Sequence, residues 1–443
     1  MKLVRLKITD PNGFRSLQAG FEYRFRTDWA LQDEFSEQPK FAYKGFAPFV
    51  CAGPNGSGKS NLLEALAVIF FQLEILRVRS RQFLPDTFID DGDVALNSDE
   101  SSNGGEDTLN AYELEYLIKV SDDLRSQTSP LFAEVSVRKS LDGTPQIFWK
   151  NYAGFDLDEQ DLKRLNNQQG LAGDKERDFL LPAYVLGYSS GENEILSLPF
   201  FKMRFIQFDE YWYSLEEQLP YSGKPETRMT YMDSSFSQAI LLCNLLYGEA
   251  ESLKLFQQDL GLGELQEFRI ILKRSIEITA QQAEVFGLDH PAVTVDDEFD
   301  VYTLNLLDLL EADKNSAERF DPTVNRLKRC ATSYFLDETT DTLYLDYCVN
   351  DKTKKAFAEN FSFGVNKSPI DLFQAFQVLL TLNLYPVSEE LKADLYQSDS
   401  HYVSETVPVL ASDERIMRFK FFRFNKQGIK QPIMLKNLSD GEH

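Results

Sequence analysis

A chain of 443 residues that is 43% hydrophobic and carries 35 phenylalanines has apolar material for two or three packed cores, which excludes a disordered polymer. Its 46 Lys and Arg against 70 Asp and Glu leave a net charge of −24, so the bulk field repels nucleic acid and any such contact needs a local basic patch. Four scattered cysteines without a CxxC pair and only three histidines argue against zinc, disulfide or histidine-cluster chemistry, and no apolar run reaches the roughly 20 residues of a membrane helix.

In chain order, MKLVRLKITD alternates like a strand and lacks the apolar block of a secretory leader, so a cytoplasmic protein with no membrane partner is expected. Phe14-Arg15-Ser16-Leu17 and GFEYRFR come next. FAPFVCA (46–52) is apolar and β-prone and predicts a strand that ends at the first glycine of Gly53-Pro54-Asn55-Gly56-Ser57-Gly58-Lys59-Ser60. That octet matches G-x-x-x-x-G-K-[ST] at every fixed position, and Asn61 follows it. Leu62, Leu66, Ile69, Leu73 and Leu76 then recur at helical spacing.

The chemistry accounts for the residue types. Glycines let backbone N–H groups turn inward around phosphates, and a helix N-terminus adds partial positive charge. The Lys59 ammonium can reach the β- and γ-phosphates, and the Ser60 hydroxyl can ligate Mg²⁺. ATP and Mg²⁺ are the expected ligands.

Beyond the helix, the acidic Ser/Gly-rich stretch 90–110 reads as a surface loop, followed by strand-like AYELEYLIKV and LFAEVSVRKS. Residues 213–405 read as mainly helical. SSFSQAILLCNLLYGEA places Ala239, Leu242, Cys243 and Leu246 on one face, and SPIDLFQAFQVLLTLNLY opens with Ser368 as N-cap, Pro369 in the first turn and Asp371 nearby. ERIMRFKFFRFNKQGIKQPIMLK interleaves Arg415, Arg418, Lys420, Arg423, Lys426 and Lys430 with Phe419, Phe421, Phe422 and Phe424. A hairpin turning at Asn425–Gly428, with phenylalanines in the core, is the favoured reading; contact with nucleic acid is the alternative.

The chain closes on Leu438-Ser439-Asp440-Gly441-Glu442. Together with the first strand, Arg15 and the glycine octet, this segment resembles the head domain of ABC-type ATPases of the RecF/SMC/Rad50/OLD-like branch. The resemblance is closest to the AAA family ATPases associated with bacterial restriction and antiphage defence. It implies an α/β P-loop NTPase with a large, mostly helical insertion: a first lobe over 1–212, an insertion over 213–405, and a return to the ATPase core over 406–443. The closing pentapeptide is similar to that class's LSGGQ or LSGGE signature, with Asp440 in place of a glycine.

In such proteins two heads pair, and ATP on one P-loop is capped by the other's signature. The resemblance therefore implies a homodimer or higher homo-oligomer, a partner effector or nuclease, and Arg15 near the nucleotide. A strand ending in Asp-Glu normally follows the signature, so the chain reads as a fragment of a longer protein. Two internal mimics bear on this. RFIQFDEYW imitates that strand and offers Glu210 as catalytic carboxylate, against which Pro199, Lys202 and Arg204 argue. YSSGENE (188–194) imitates the signature, but LLPAYVLGYSS reads instead as a core strand that delivers Ser189, Ser190 and Glu192 to the position of the family's Q-loop, or as an ordinary strand-end turn. Function divides between an ATP-hydrolysing switch, a nucleotide-sensing scaffold without turnover, and a DNA-repair ATPase that contacts DNA directly.

Overall fold

In a computed structural model, the described residues are all but 28–30, 32–47, 79–82, 85–87, 91–92, 95–108, 142, 190–193, 220, 249–252, 255–256, 259–260, 297, 312–322, 362–367, 399–406 and 436–443. They divide into two compact units. One holds residues 1–203, 226–231 and 388–406; the other holds 204–225, 232–387 and 407–443.

Alternation decides the first unit's sheet. β1 (Lys2–Ile8) and β2 (Glu22–Arg24) precede helix α1 (Lys59–Ile75) and a short ladder of β3 (Ile89–Asp90) with β4 (Asp93–Val94). β5 (Tyr112–Ile118), β6 (Ala133–Lys139) and β7 (Gln146–Trp149) complete an antiparallel sheet of order β2-β1-β5-β6-β7. Tyr112, Leu114 and Tyr116 of β5 face inward with Val135 and Val137 of β6. Glu113 and Glu115 fall on the other face, where the Arg5 guanidinium meets them at 2.7 and 3.3 Å. Ala65, Ile69 and Leu73 of α1 share the core cluster with Leu6, Leu114 and Trp149, so the helix is held by the sheet's inner face.

After α2 (Glu159–Asn167) and α3 (Asp174–Leu180), β8 (Val185–Gly187) pairs in parallel with β9 (Met229–Tyr231). A Cβ on Gly187 would lie 2.6 Å from the Phe200 ring and 2.9 Å from that of Tyr231, so only glycine fits there.

An expected strand and the expected interruption at Pro199 are corrected in this part of the chain. Residues 48–52 of FAPFVCA form no strand. Phe49 instead packs edge-on against Tyr23 and Phe25, at 5.7 and 5.0 Å, and Val50 is 83% exposed. RFIQFDEYW lies within a helix, α4 (Glu194–Glu216), with Pro199 in its second turn. As the sixth residue of that helix, Pro199 lacks the amide that would have met the Ile195 carbonyl, and the helix nevertheless continues through it.

The second unit adds sheets that the mainly helical reading of 213–405 did not include. β10 (Leu262–Lys273), β14 (Ser333–Asp337), β15 (Thr342–Cys348), β16 (Met417–Lys426) and β17 (Ile433–Met434) form an antiparallel sheet of order β14-β15-β10-β16-β17, and β11 (Ser275–Ile278), β13 (Val301–Asn305) and β12 (Val293–Asp296) form a second one. Phe268, Ile270 and Leu272 of β10 share one face with Leu343, Leu345 and Tyr347 of β15 and are buried with them, and Ile271 is buried as well. Helices are present as well: α5 (Ser234–Tyr247), α6 (Ala280–Phe286), α7 (Leu306–Glu311), α8 (Thr323–Cys330), α9 (Asp351–Asn360) and α10 (Pro369–Thr381).

The faces read from sequence hold on α5, where Ala239, Leu242, Cys243 and Leu246 are buried. Ser368 caps α10 by accepting from the Ile370 N–H at 3.3 Å, with Pro369 in the first turn. The hairpin at 425–428 also forms. α11 (Glu389–Gln397) belongs to the first unit, where its Tyr396 packs 5.5 Å from Phe88.

Candidate nucleotide site

The glycine octet runs straight into α1, and local chemistry dictates its course. Gly56 and Gly58 hold φ of +79° and +80°, a region open to glycine but strained for other residues. Gly58 thereby caps α1, and its carbonyl accepts the Leu62 N–H at 2.9 Å. The Ser57 N–H donates to the Pro54 carbonyl at 3.3 Å and closes the loop. Lys59 folds back over it, its ammonium donating to the carbonyls of Gly53 at 2.9 Å and Pro54 at 2.7 Å and to Ser57 Oγ at 3.4 Å.

The cradle is tight, since a Cβ on Gly53 would stand 3.0 Å from Ser57 Oγ. The first turn of α1 carries no acidic side chain, so nothing of like charge opposes an anion there. Pro54, Asn55 and Ser60 are exposed. These residues fit a phosphate chain. The inward amides would hold it, Lys59 would neutralise it, and the Ser60 hydroxyl could take one position on a divalent cation.

The Phe14–Leu17 turn clasps this loop. Phe14 and Leu17 exchange backbone hydrogen bonds of 2.8 Å in both directions. Asn61 Nδ2 donates to Ser16 Oγ at 2.5 Å, and a Cβ on Gly58 would meet Leu17 Cδ2 at 3.0 Å. Arg15, at φ +54°, has its Nε 3.5 Å from Glu64 Oε2. The fold thus brings Arg15 to the start of α1, beside Asn61 and Glu64.

A buried pair at the other end of α1 was not read from the sequence. Arg77 Nη1 lies 2.9 Å from Glu74 Oε1 and donates to Oε2 at 3.1 Å, while Oε2 also accepts the Arg228 N–H at 2.8 Å. Arg77 Nη2 donates to the Pro182 carbonyl at 3.3 Å. The pair therefore ties α1 to the segments that enter β8 and β9. Burial pushes the Glu74 carboxyl above its ordinary range, with Arg77 opposing that shift. An acid three residues before an arginine, at the end of an apolar helix, was the available signal.

Ser189 lies two residues beyond β8, after Tyr188, and is partly exposed. Ser190, Glu192 and the closing Leu438–Glu442 lie outside the described residues. Asp209 and Glu210 are not strand-terminal. They are adjacent on α4, where neighbouring side chains diverge, and Glu210 is only 6% exposed. Glu210→Gln is therefore expected to leave phosphate release from ATP unchanged and to lower the unfolding temperature. Lost turnover with an unchanged unfolding temperature would restore Glu210 as a catalytic carboxylate.

A glycine loop that caps a helix, with a lysine folded across it, defines a P-loop nucleotide-binding site. Residues 50–188 match the family model described as "AAA domain, putative AbiEii toxin, Type IV TA system". The matched segment contains the loop, α1 and β5–β8, and the match supports an AAA-type P-loop ATPase domain, a class that generally works with ATP and Mg²⁺. No curated protein and no solved structure matches the chain. Among the described residues no single helix is long and apolar enough to cross a membrane.

Proposed function

We propose that the chain is an ATP-dependent switch of the ABC type, in the RecF/SMC/Rad50/OLD-like branch, which pairs its heads on ATP and controls a partner effector in antiphage defence or restriction. The observation that carries this reading is the Gly53–Ser60 loop capping α1 with the Arg15 turn clasped against it. The family match, whose description names a toxin of a toxin–antitoxin system, supports the defence role.

When bound, ATP supplies the charge that the two heads would share. The chain's own residues do the rest. Loop amides and Lys59 hold the phosphates of one head, and Ser439 and the Gly441 N–H of a second copy cap them from outside. Ser189, Ser190 and Glu192 take the Q-loop position, where they would report occupancy.

The test is pairing itself. Light scattering with a non-hydrolysable ATP analogue is expected to show nucleotide-dependent association of the chain. Ser439→Arg should abolish that association while ATP affinity stays unchanged, because a bulky cation blocks the short approach of the hydroxyl. Equal association of parent and variant would refute trans-capping.

A further inference from the structure

The outer face of the β14-β15-β10-β16-β17 sheet is not built as a solvated face. A row of π-systems crosses four of its strands. Phe335 of β14 stacks on Tyr344 of β15, with centroids 4.8 Å apart and planes at 14°. The Arg269 guanidinium of β10 lies 5.2 Å from the Tyr344 ring and 5.2 Å from the Phe421 ring of β16. Two hydrogen bonds to Asp346, from Nε at 2.6 Å and from Nη2 at 2.9 Å, fix the plane of that guanidinium. Both ends of the row are in water, Phe335 at 48% and Phe421 at 44% exposure.

A second observation is independent of exposure. The β10–β16 register slips between Glu267↔Arg423 and Arg269↔Lys420, so two residues of β16, Phe421 and Phe422, oppose one of β10, Phe268. Phe421 sits in this bulge at φ +59°, a left-handed conformation that is strained for a bulky residue. Strict alternation would turn Phe421 inward after Phe419. The bulge sends Lys420 and Phe421 outward together and returns Phe422 to the core. Folding alone gives no reason to strain the backbone and place an aromatic ring in water.

The charge on this face is also distinctive. Register places Arg269, Lys273, Arg418, Lys420 and Arg423 on it, against the carboxylates of Asp337, Asp346 and Glu267, the last of them 2.7 Å from Arg423 Nη1. That is a local cationic excess in a chain of net charge −24. At its β14 edge, Phe335 also borders a cavity of about 430 Å³ lined by Arg274, Lys328, Asn305 and Asp308. A second copy of this chain would set the same cations against each other across a two-fold axis, which opposes self-docking.

We propose that this face binds single-stranded nucleic acid, its bases stacking on Phe335 and Phe421 with Arg269 between them and its phosphates met by Lys420, Arg418 and Arg423. Every base offers a π-face, so such a row is sequence-tolerant, and it requires bases unstacked from a duplex. The inference stands apart from the nucleotide switch and would survive its failure.

The test is fluorescence anisotropy of labelled oligothymidylate and oligouridylate with the full chain at low salt. Saturable binding is expected. Phe335→Ala and Phe421→Gly should each weaken it roughly tenfold. Phe421→Gly also relieves the positive φ, so its unfolding temperature should hold or rise, which separates lost binding from lost fold. Lys420→Ala should reduce the slope of log affinity on log salt by about one. Absence of binding, equal affinity for a blunt duplex, or unchanged affinity in both ring variants would overturn the proposal. So would self-association that Phe335→Ala abolishes, since the face would then be an interface between copies.

Discussion

Lys59→Ala is expected to abolish measurable ATP binding while leaving the unfolding temperature where it was. Among the described residues the lysine donates only to the Gly53 and Pro54 carbonyls and Ser57 Oγ, on an exposed loop, so little folding energy depends on it. Against a triphosphate it is the main cation at the loop. Hydrogen bonds to charged groups are each worth about 1.5–3 kcal/mol, and losing two of them weakens binding by at least about a hundredfold. Lys59→Arg should not rescue, because a planar fork cannot replace a compact ammonium inside a loop this tight. Calorimetric titration with ATP and Mg²⁺ decides the matter: unchanged affinity in Lys59→Ala would remove the P-loop assignment.

The P-loop was legible because its geometry is local. The left-handed turns at Gly56 and Gly58 and the folded-back lysine all lie within one octet, whose residue types are fixed by the backbone they must adopt. β1, β5 and β6 were legible because one face is buried and the other polar, so period two survives in the sequence. Strand β10 was not. Ile271 is buried along with Ile270 and Leu272, which turns the alternation into a continuous apolar run that helix and strand share. FAPFVCA failed for the complementary reason: β-propensity names a strand only if a partner exists, and aromatic packing on Tyr23 and Phe25 took Phe49 instead. The outward turn of Phe421 depends on a bulge set by register against β10, a partner about 150 residues away in the chain. Glu74 and Arg77 are close in sequence, but their burial is conferred by Pro182 and Arg228, which no local pattern reveals.

That buried pair carries the largest expected effect on stability. Arg77→Met is expected to cost about 3–5 kcal/mol near pH 7, because among the described residues it leaves a fully buried carboxylate with the Arg228 N–H as its hydrogen-bond donor and the Arg228 charge as the remaining cation acting on it. The pH dependence has a definite sign. Burial already holds the Glu74 carboxyl above its ordinary value of 4.5, so the folded protein binds that proton more tightly than the unfolded chain does. Such a group's contribution is fully present below 4.5 and is lost as pH rises through the folded value. Arg77 is the largest influence opposing the upward shift, and its removal raises the folded value further and widens that window. The deficit of Arg77→Met should therefore shrink as pH falls from about 7 towards about 5, where Glu74 can take up its proton. Glu74→Gln/Arg77→Met should be milder than the single variant and insensitive to pH across that range, since no buried charge is left unpaired. Urea unfolding of the three proteins at both pH values is sufficient. An equal deficit at both would mean that Arg77 acts through packing and its bond to the Pro182 carbonyl, not through the charge of Glu74.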